Sequence, residues 1–211
     1  MKKTITFTIA ILFGILIGVC GCIFTDIYES KAGPVVHTDA KLDSALIKSK
    51  ENLVIEVDKY IKTVAPKSRL SGEVLVDLCD VYNVDIRLAL VQGHVESHFG
   101  TKGTARKTNS VFNVGAYDGH SAIRQCMNGF GFFHPNQSIE PYLELLTTNY
   151  LVNGRTEKDL LKNYVNRYGQ RYASHPKYES VLRQRWNKID MVADITKTYE
   201  EYKRYKWLVG C

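Results

Sequence analysis

Along the chain, stretches with a clear helical spacing of apolar residues alternate with stretches that have none. Residues 5–24 form an almost uncharged run behind Lys2 and Lys3. Residues 25–50 mix Lys, Asp and Ser around a Gly33-Pro34 break with little sustained period, and are expected to form a tether. Over residues 51–64 the apolar positions Leu53, Val54, Val57, Tyr60, Ile61 and Val64 recur at steps of three and four, the spacing of one helix face, and Pro66 ends it. Ser71 caps a second predicted helix through Leu75, Leu78 and Cys79 into Tyr82. Asn83-Val84-Asp85 gives a turn and a fresh cap, and a third helix is predicted from Ile86 to about Phe99, closed by Gly100.

The period breaks over residues 100–136, which are rich in Gly, Asn, Thr and Ser. Short strand-like pieces such as Val111-Phe112-Asn113-Val114 lie there among Gly115, Gly119, Gly129 and Gly131. Helix is predicted again over residues 138–150, over 156–168 with Gly169 closing it, and over 178–202. Helices, a loop or hairpin insert and helices again describe a mainly α (α+β) domain, with a small β element rising beside a groove. No repeat, P-loop or dinucleotide fingerprint occurs.

Composition narrows the class. The 211 residues suffice for one ordinary domain with a proper core and not for two large ones. With 45% apolar and 24% charged residues, the bulk is neither disordered nor a multispan membrane protein. Twenty-eight Lys+Arg against 22 Asp+Glu give +6, an excess spread along the chain that suits an acidic partner such as nucleic acid, anionic lipid or cell wall. No basic helix or Arg-rich cluster interleaves with aromatics, which argues against nucleic acid. The 13 Tyr suit a groove that stacks sugars, and equally an ordinary core rim.

The N-terminal order of basic residues, apolar run and small residues is that of a secretory signal. Val19-Cys20-Gly21-Cys22 resembles a lipobox, with Cys22 as the lipidated residue. The run is also long enough to span a bilayer uncut, or it could be a plain cleaved signal. Each version carries the rest of the chain across the inner membrane, and the first two leave it anchored and facing the periplasm or cell envelope. Cys79, Cys126 and Cys211 remain, an odd number that allows one disulfide without demanding it. No CxxC or Cys/His spacing suggests zinc, so no metal and no cofactor are expected.

The most informative stretch runs from Asp85 to Gly100. On a helical wheel Leu88, Val91, Val95 and Phe99 form a core stripe, and Ala89, Gly93, Glu96 and Gly100 the stripe beside it. A carboxylate thus lies next to the apolar face and next to residues with almost no side chain, where a substrate could approach. Desolvation and the negative end of the helix dipole both raise its pKa, and no Lys or Arg stands three or four residues away on that helix to oppose them. A carboxylic acid that keeps its proton near neutrality is what protonation of a leaving glycosidic oxygen requires. His94 and His98 flank Glu96 at two-residue offsets, so they point to other faces and form no metal pair with it.

His94-Val95-Glu96-Ser97-His98-Phe99-Gly100, then Thr104-Ala105-Arg106, then Asn109-Ser110-Val111-Phe112-Asn113-Val114 resemble the family 73 glycoside hydrolases, the glucosaminidase group, with its acid in "ESGWG" followed by "NNLFGI". The sequence departs from that pattern with Ser110 in place of Asn and Asn113 in place of Gly. Gln137-Ser138-Ile139-Glu140-Pro141-Tyr142 is similar to "ESIxDY", and the segment from Gly169 to Tyr178 is similar to "GYATDPxY". Together these segments cover roughly residues 80–190.

The resemblance implies a lysozyme-like fold, a helical lobe and a small β-hairpin lobe flanking a cleft. It also implies an endo-β-N-acetylglucosaminidase acting on the peptidoglycan glycan strand, with Glu96 as general acid. For the second catalytic group, Asp118 is the only acidic residue between Glu96 and Glu140, although Asp118-Gly119 is also a turn pair. The alternative is attack by the substrate's own N-acetyl group, oriented by Tyr172. Asn109, Phe112 and Tyr117 are expected sugar contacts, and Tyr178 either a further contact or packing for the helix after it. Lytic transglycosylase and muramidase activity remain open on the same fold, and the altered Ser110 and Asn113 leave open an inactive wall-binding protein. The domain is expected to span 51–198, followed over 199–211 by a basic aromatic tail with Lys203, Arg204, Lys206 and Trp207.

Overall fold

The computed structural model describes residues 39–114 and 131–210. Among them the chain forms eight α-helices: α1 (Ala40–Val64), α2 (Gly72–Val81), α3 (Ile86–Ser97), α4 (Ala105–Thr108), α5 (Ile139–Leu145), α6 (Glu157–Leu160), α7 (Tyr178–Trp186) and α8 (Ile195–Gly210). The first three start on side chains that accept backbone hydrogen bonds, Asp39 from Lys41, Ser71 from Val74 and Asp85 from Arg87. The described part is mainly α, the helical lobe of a lysozyme-like fold, and no strand occurs among the described residues. One antiparallel bridge joins Val165 to Arg171.

α1 opens at Ala40, so residues 40–50, expected to belong to a tether, are helix. Leu42, Ala45, Leu46 and Ser49 turn inward at helical spacing there. Their partner is α8, which packs along α1 from the far end of the sequence, and local periodicity could not reveal it. The expected tail is in turn the end of α8: Tyr202 is buried and Tyr199 packs on the core, while Lys203, Arg204, Lys206 and Trp207 face solvent.

α3 is the central helix. Ile86, Leu88, Ala89, Leu90, Val91, Gln92, Gly93, His94 and Ser97 are all buried, so a single core stripe was too narrow an expectation. Val95 is only partly buried. Gly93 is not open space beside the acid either: a Cβ there would lie 3.0 Å from the Phe99 ring and 3.2 Å from the Phe112 ring, which close over it. At the N-terminal end of α3, Arg87 pairs with Asp85 at 2.6 Å, and its guanidinium lies over the rings of Trp186 and Tyr199. Cys79 is buried with a free thiol, its pKa pushed up by burial.

Four further expectations change in detail. The helix expected over 178–202 is α7, a 3-10 turn (Ile189–Met191) and the first part of α8. The helix expected over 138–150 is a 3-10 turn (Pro135–Ser138), α5 and a π-helical turn (Leu146–Tyr150). The one expected over 156–168 stops after α6, and farther along Asn166 bonds its own loop instead of continuing a helix: its Oδ1 accepts from the amides of Tyr168 and Gln170, each at 2.9 Å. Residues 111–114, read as strand-like, form turns, with Asn113 at φ 52°. The expected β-hairpin lobe with Tyr117, Asp118 and Cys126 lies outside the described residues, as do the apolar run, Cys22 and Cys211. No helix of the described residues is long and apolar enough to cross a membrane.

Candidate active site

Glu96 stands in the last turn of α3, where the chain makes a sharp exit. His98, Phe99 and Gly100 all take positive φ, at 47°, 52° and 81°. The amide of His98 donates to the His94 carbonyl and that of Phe99 to the Gly93 carbonyl, closing the helix end. Left-handed backbone at a bulky residue costs about 1–2 kcal/mol, and the fully buried Phe99 ring offsets it. Ser97, inside this turn, donates from Oγ to the Val111 carbonyl at 2.6 Å and accepts the Gly100 amide at 2.8 Å. Ser138 in turn accepts the Val111 amide at 3.1 Å. These bonds lay residues 110–114 against the acid.

Two donors reach the carboxylate. The Tyr178 hydroxyl, at the first residue of α7, donates to Glu96 Oε1 at 2.5 Å. Asn113 Nδ2 donates to Oε2 at 3.2 Å and to the Glu96 backbone carbonyl at 3.0 Å. Burial raises the pKa of Glu96 and outweighs both donors, which lower it, so the carboxyl sits above the ordinary carboxylate range. The residue is half-buried, leaving part of it open to a ligand.

A tyrosine cluster walls this acid. Tyr172 stacks on Tyr178 at 5.9 Å and 12°, and Tyr164 meets Tyr172 edge-on at 5.0 Å. Tyr150 packs on both Tyr164 and Tyr172. Beneath them Gln92 Oε1 accepts the hydroxyls of Tyr142 and Tyr164, each at 2.7 Å. Burial, with the charge of Glu96 adding to it, pushes Tyr172 and Tyr178 well above the usual phenol range, so both stay protonated donors.

Of the residues singled out from sequence, Glu96, Tyr172 and Tyr178 come together. Phe112, an expected sugar contact, instead has no exposed surface: it is 0% exposed and its ring is stacked on Tyr142 at 3.8 Å, with residues 110–114 pinned by Ser97 and Ser138. Its carbonyl serves the site by accepting the Tyr172 hydroxyl at 3.0 Å. Asn109 takes the left-handed conformation at φ 56°. Its Oδ1 accepts from Arg69 at 2.6 Å, and its Nδ2 donates to the carbonyls of Phe132, at 2.7 Å, and Phe133. That amide is spent on holding the chain where it returns at 131–133. Tyr117 and Asp118 lie outside the described residues.

Asn113, in the sequence only a departure from a motif, bonds Glu96. Glycine and asparagine are the residues that enter the left-handed well most readily, so the exchange itself carried the signal. Gln92, a lone amide in an apolar helix, was the other available cue. His94 belongs to the core: its Nδ1 lies 3.1 Å from the Tyr60 hydroxyl, and burial lowers its pKa to about 4. Among the described residues no group of three or more His, Cys, Asp or Glu is arranged to hold a metal.

A family model, Glucosaminidase, described as mannosyl-glycoprotein endo-beta-N-acetylglucosaminidase, matches residues 72–191, more than half of the chain. The chain belongs to the glucosaminidase family. The match contains Glu96, Asn113, Tyr172 and Tyr178, and leaves α1 and α8 outside it. No curated protein and no solved structure matches the chain. Membership makes this glucosaminidase-family protein a glycoside hydrolase acting on peptidoglycan.

Proposed function

We propose that the protein is an endo-β-N-acetylglucosaminidase that cuts the peptidoglycan glycan strand with Glu96 as general acid. One observation carries this reading: a half-buried carboxyl whose pKa is raised, with each oxygen held by a single neutral donor. A carboxyl oxygen has two lone-pair sites, so a proton still finds room beside either donor. In the reaction that proton passes to the leaving glycosidic oxygen as the bond to the anomeric carbon breaks. Positive charge develops on the sugar, and the ionised Glu96 then accepts from Tyr178 and Asn113.

The second group is either Asp118 or the substrate's N-acetyl oxygen. For the latter, the Tyr172 hydroxyl would leave the Phe112 carbonyl and orient the acetamide. Its stacking on Tyr178 beside Glu96 supports that role. Digestion of purified sacculi followed by mass spectrometry tests the whole reading. Fragments with N-acetylglucosamine at the reducing end are expected, and Glu96→Gln should lower their yield about a hundredfold or more. N-acetylmuramic acid ends would make the enzyme a muramidase, and anhydro ends a lytic transglycosylase. Lytic activity retained in Glu96→Gln ends the assignment.

The domain is further proposed to work outside the inner membrane, held there by a lipid on Cys22 once the segment before it is cleaved, with residues 5–24 left uncut as the alternative anchor. The support is the order of Lys2-Lys3, apolar run and Gly21-Cys22. Mass spectrometry of the membrane fraction should find a mature chain beginning at acylated Cys22; an intact Met1 would replace the lipid with an uncut anchor. A soluble chain that starts beyond Cys22 would remove both.

A further inference from the structure

Asn113 does two things at once to the residue it faces. Glu96 lies in the last turn of α3, where backbone carbonyls lack partners within the helix. The carbonyls of Gly93, His94 and Ser97 are met by amides of the following turn. That of Glu96 is met by the Asn113 side chain at 3.0 Å, and the same nitrogen reaches Glu96 Oε2 at 3.2 Å. An amide nitrogen carries two hydrogens, one for each acceptor. Backbone and carboxyl of one residue are therefore held by a single group, which removes freedom from a side chain with three rotatable bonds.

We infer that Asn113 is a positioning residue for the reaction: its forked amide fixes the direction in which Glu96 presents its carboxyl to the glycosidic oxygen. The inference rests on the reading of Glu96 as the acid. Asn113 can hold this place because its backbone is left-handed, at φ 52°, where asparagine fits at low cost. Glycine, the residue in the motif that residues 109–114 resemble, would fit the same backbone and supply no donor.

A consequence for pH follows from the sign of the interaction. A donor to the carboxylate favours its ionised form, so Asn113 works against burial and lets the proton leave at lower pH than the pocket alone would. Among the described residues, the other titratable groups that feel Glu96 are phenols that stay protonated: Tyr178 from α7, Tyr164 and Tyr172 from the 164–172 segment and Tyr142 from α5. Burial and the bonds from Tyr178 and Asn113 account for the shift of Glu96, with no charged side chain among those causes. Activity should fall on the alkaline side as Glu96 ionises, and Asn113 sets part of where that happens.

The test uses full-length protein and a soluble peptidoglycan glycan oligomer. Asn113→Gly keeps the backbone conformation and removes the amide. Its kcat should fall about tenfold at the optimum with KM within about twofold, since the lost bonds act on the acid and not on the sugar. Its alkaline limb should move to higher pH, with about threefold or more gain in the fraction of activity kept there. Asn113→Asp has the same size and the same tolerance of left-handed backbone, but faces Glu96 with an acceptor; its limb should move further in the same direction.

Carbon NMR titration of the Glu96 carboxyl in each protein reads the shift independently of turnover, and matching melting curves check the fold. An Asn113→Gly enzyme with wild-type kcat, pH profile and Glu96 titration overturns the inference, as does a wild-type-like Asn113→Asp. Full activity in Glu96→Gln would instead overturn the reading of Glu96, while the titration still reports whether Asn113 acts on it.

Discussion

At position 96 the balance between burial and two hydrogen bonds decides whether a common residue type can do uncommon chemistry. Tyr178 supplies the shorter of the two bonds to the carboxylate, 2.5 Å against 3.2 Å from Asn113. Replacing it with Phe keeps the ring in its stack on Tyr172 and removes only the hydroxyl. The variant should fold with a melting temperature within a few degrees of wild type. Its kcat should fall by about tenfold or more, and its alkaline limb should move upward, because a donor that favours ionised Glu96 is gone. Steady-state kinetics across pH check this, and an unchanged limb would mean that the hydroxyl does not govern the acid. The half-buried place of Glu96 at the end of α3 was legible in the sequence, because the helix wheel sets it beside the apolar stripe. Tyr178 was ambiguous there, since a residue that starts a helix can turn inward to pack or outward to bind. Its placement depends on how α7 docks on α3, which no local pattern encodes.

Among the elements, the short hairpin over residues 164–172 brings the tyrosines to the acid. Val165 bridges Arg171, and the Tyr172 amide donates to the Tyr164 carbonyl at 3.0 Å, so the two phenols emerge side by side. Glu179 holds the hairpin from α7. Its Oε1 accepts the Tyr164 amide at 3.1 Å, and its carboxylate takes two bonds from Arg171, at 3.0 and 2.8 Å. Burial opposes the charge, but the backbone amides of Glu179 itself and of Tyr164, together with Arg171, outweigh it and keep the pKa of Glu179 below the usual carboxylate range. A carboxyl lowered in this way adds stability above its unfolded pKa and loses it as pH falls through the folded one. Glu179→Gln should thus cost about 1–3 kcal/mol at pH 7. The gap should narrow in strongly acidic solution, where wild type is protonated too; urea unfolding at both pH values measures it. A constant gap would assign the loss to shape instead of charge. The hairpin was invisible to helical periodicity, because Leu160, Leu161 and Tyr164 keep helix spacing while Asn166 and Gly169 turn the chain.

Across the molecule, the family-matched span is braced by helices that lie outside it. α1 supplies Tyr60 to His94, and α8 supplies Tyr199 to Arg87, so both ends of α3 are held by residues from beyond 72–191. A helix buried nearly all round needs such neighbours, since every apolar face must find a partner. The chain alone already dictated the helical class, the caps at Ser71 and Asp85 and the family motif around Glu96. Those follow from spacing, side-chain hydrogen bonding and motif, all interactions within a few residues. Only the folded chain could turn residues 40–50 into helix against α8, bury Phe112 and aim Asn113 and Tyr178 at one carboxyl. These outcomes depend on surfaces that meet from distant parts of the sequence, and a local pattern says which face is apolar without saying what will cover it.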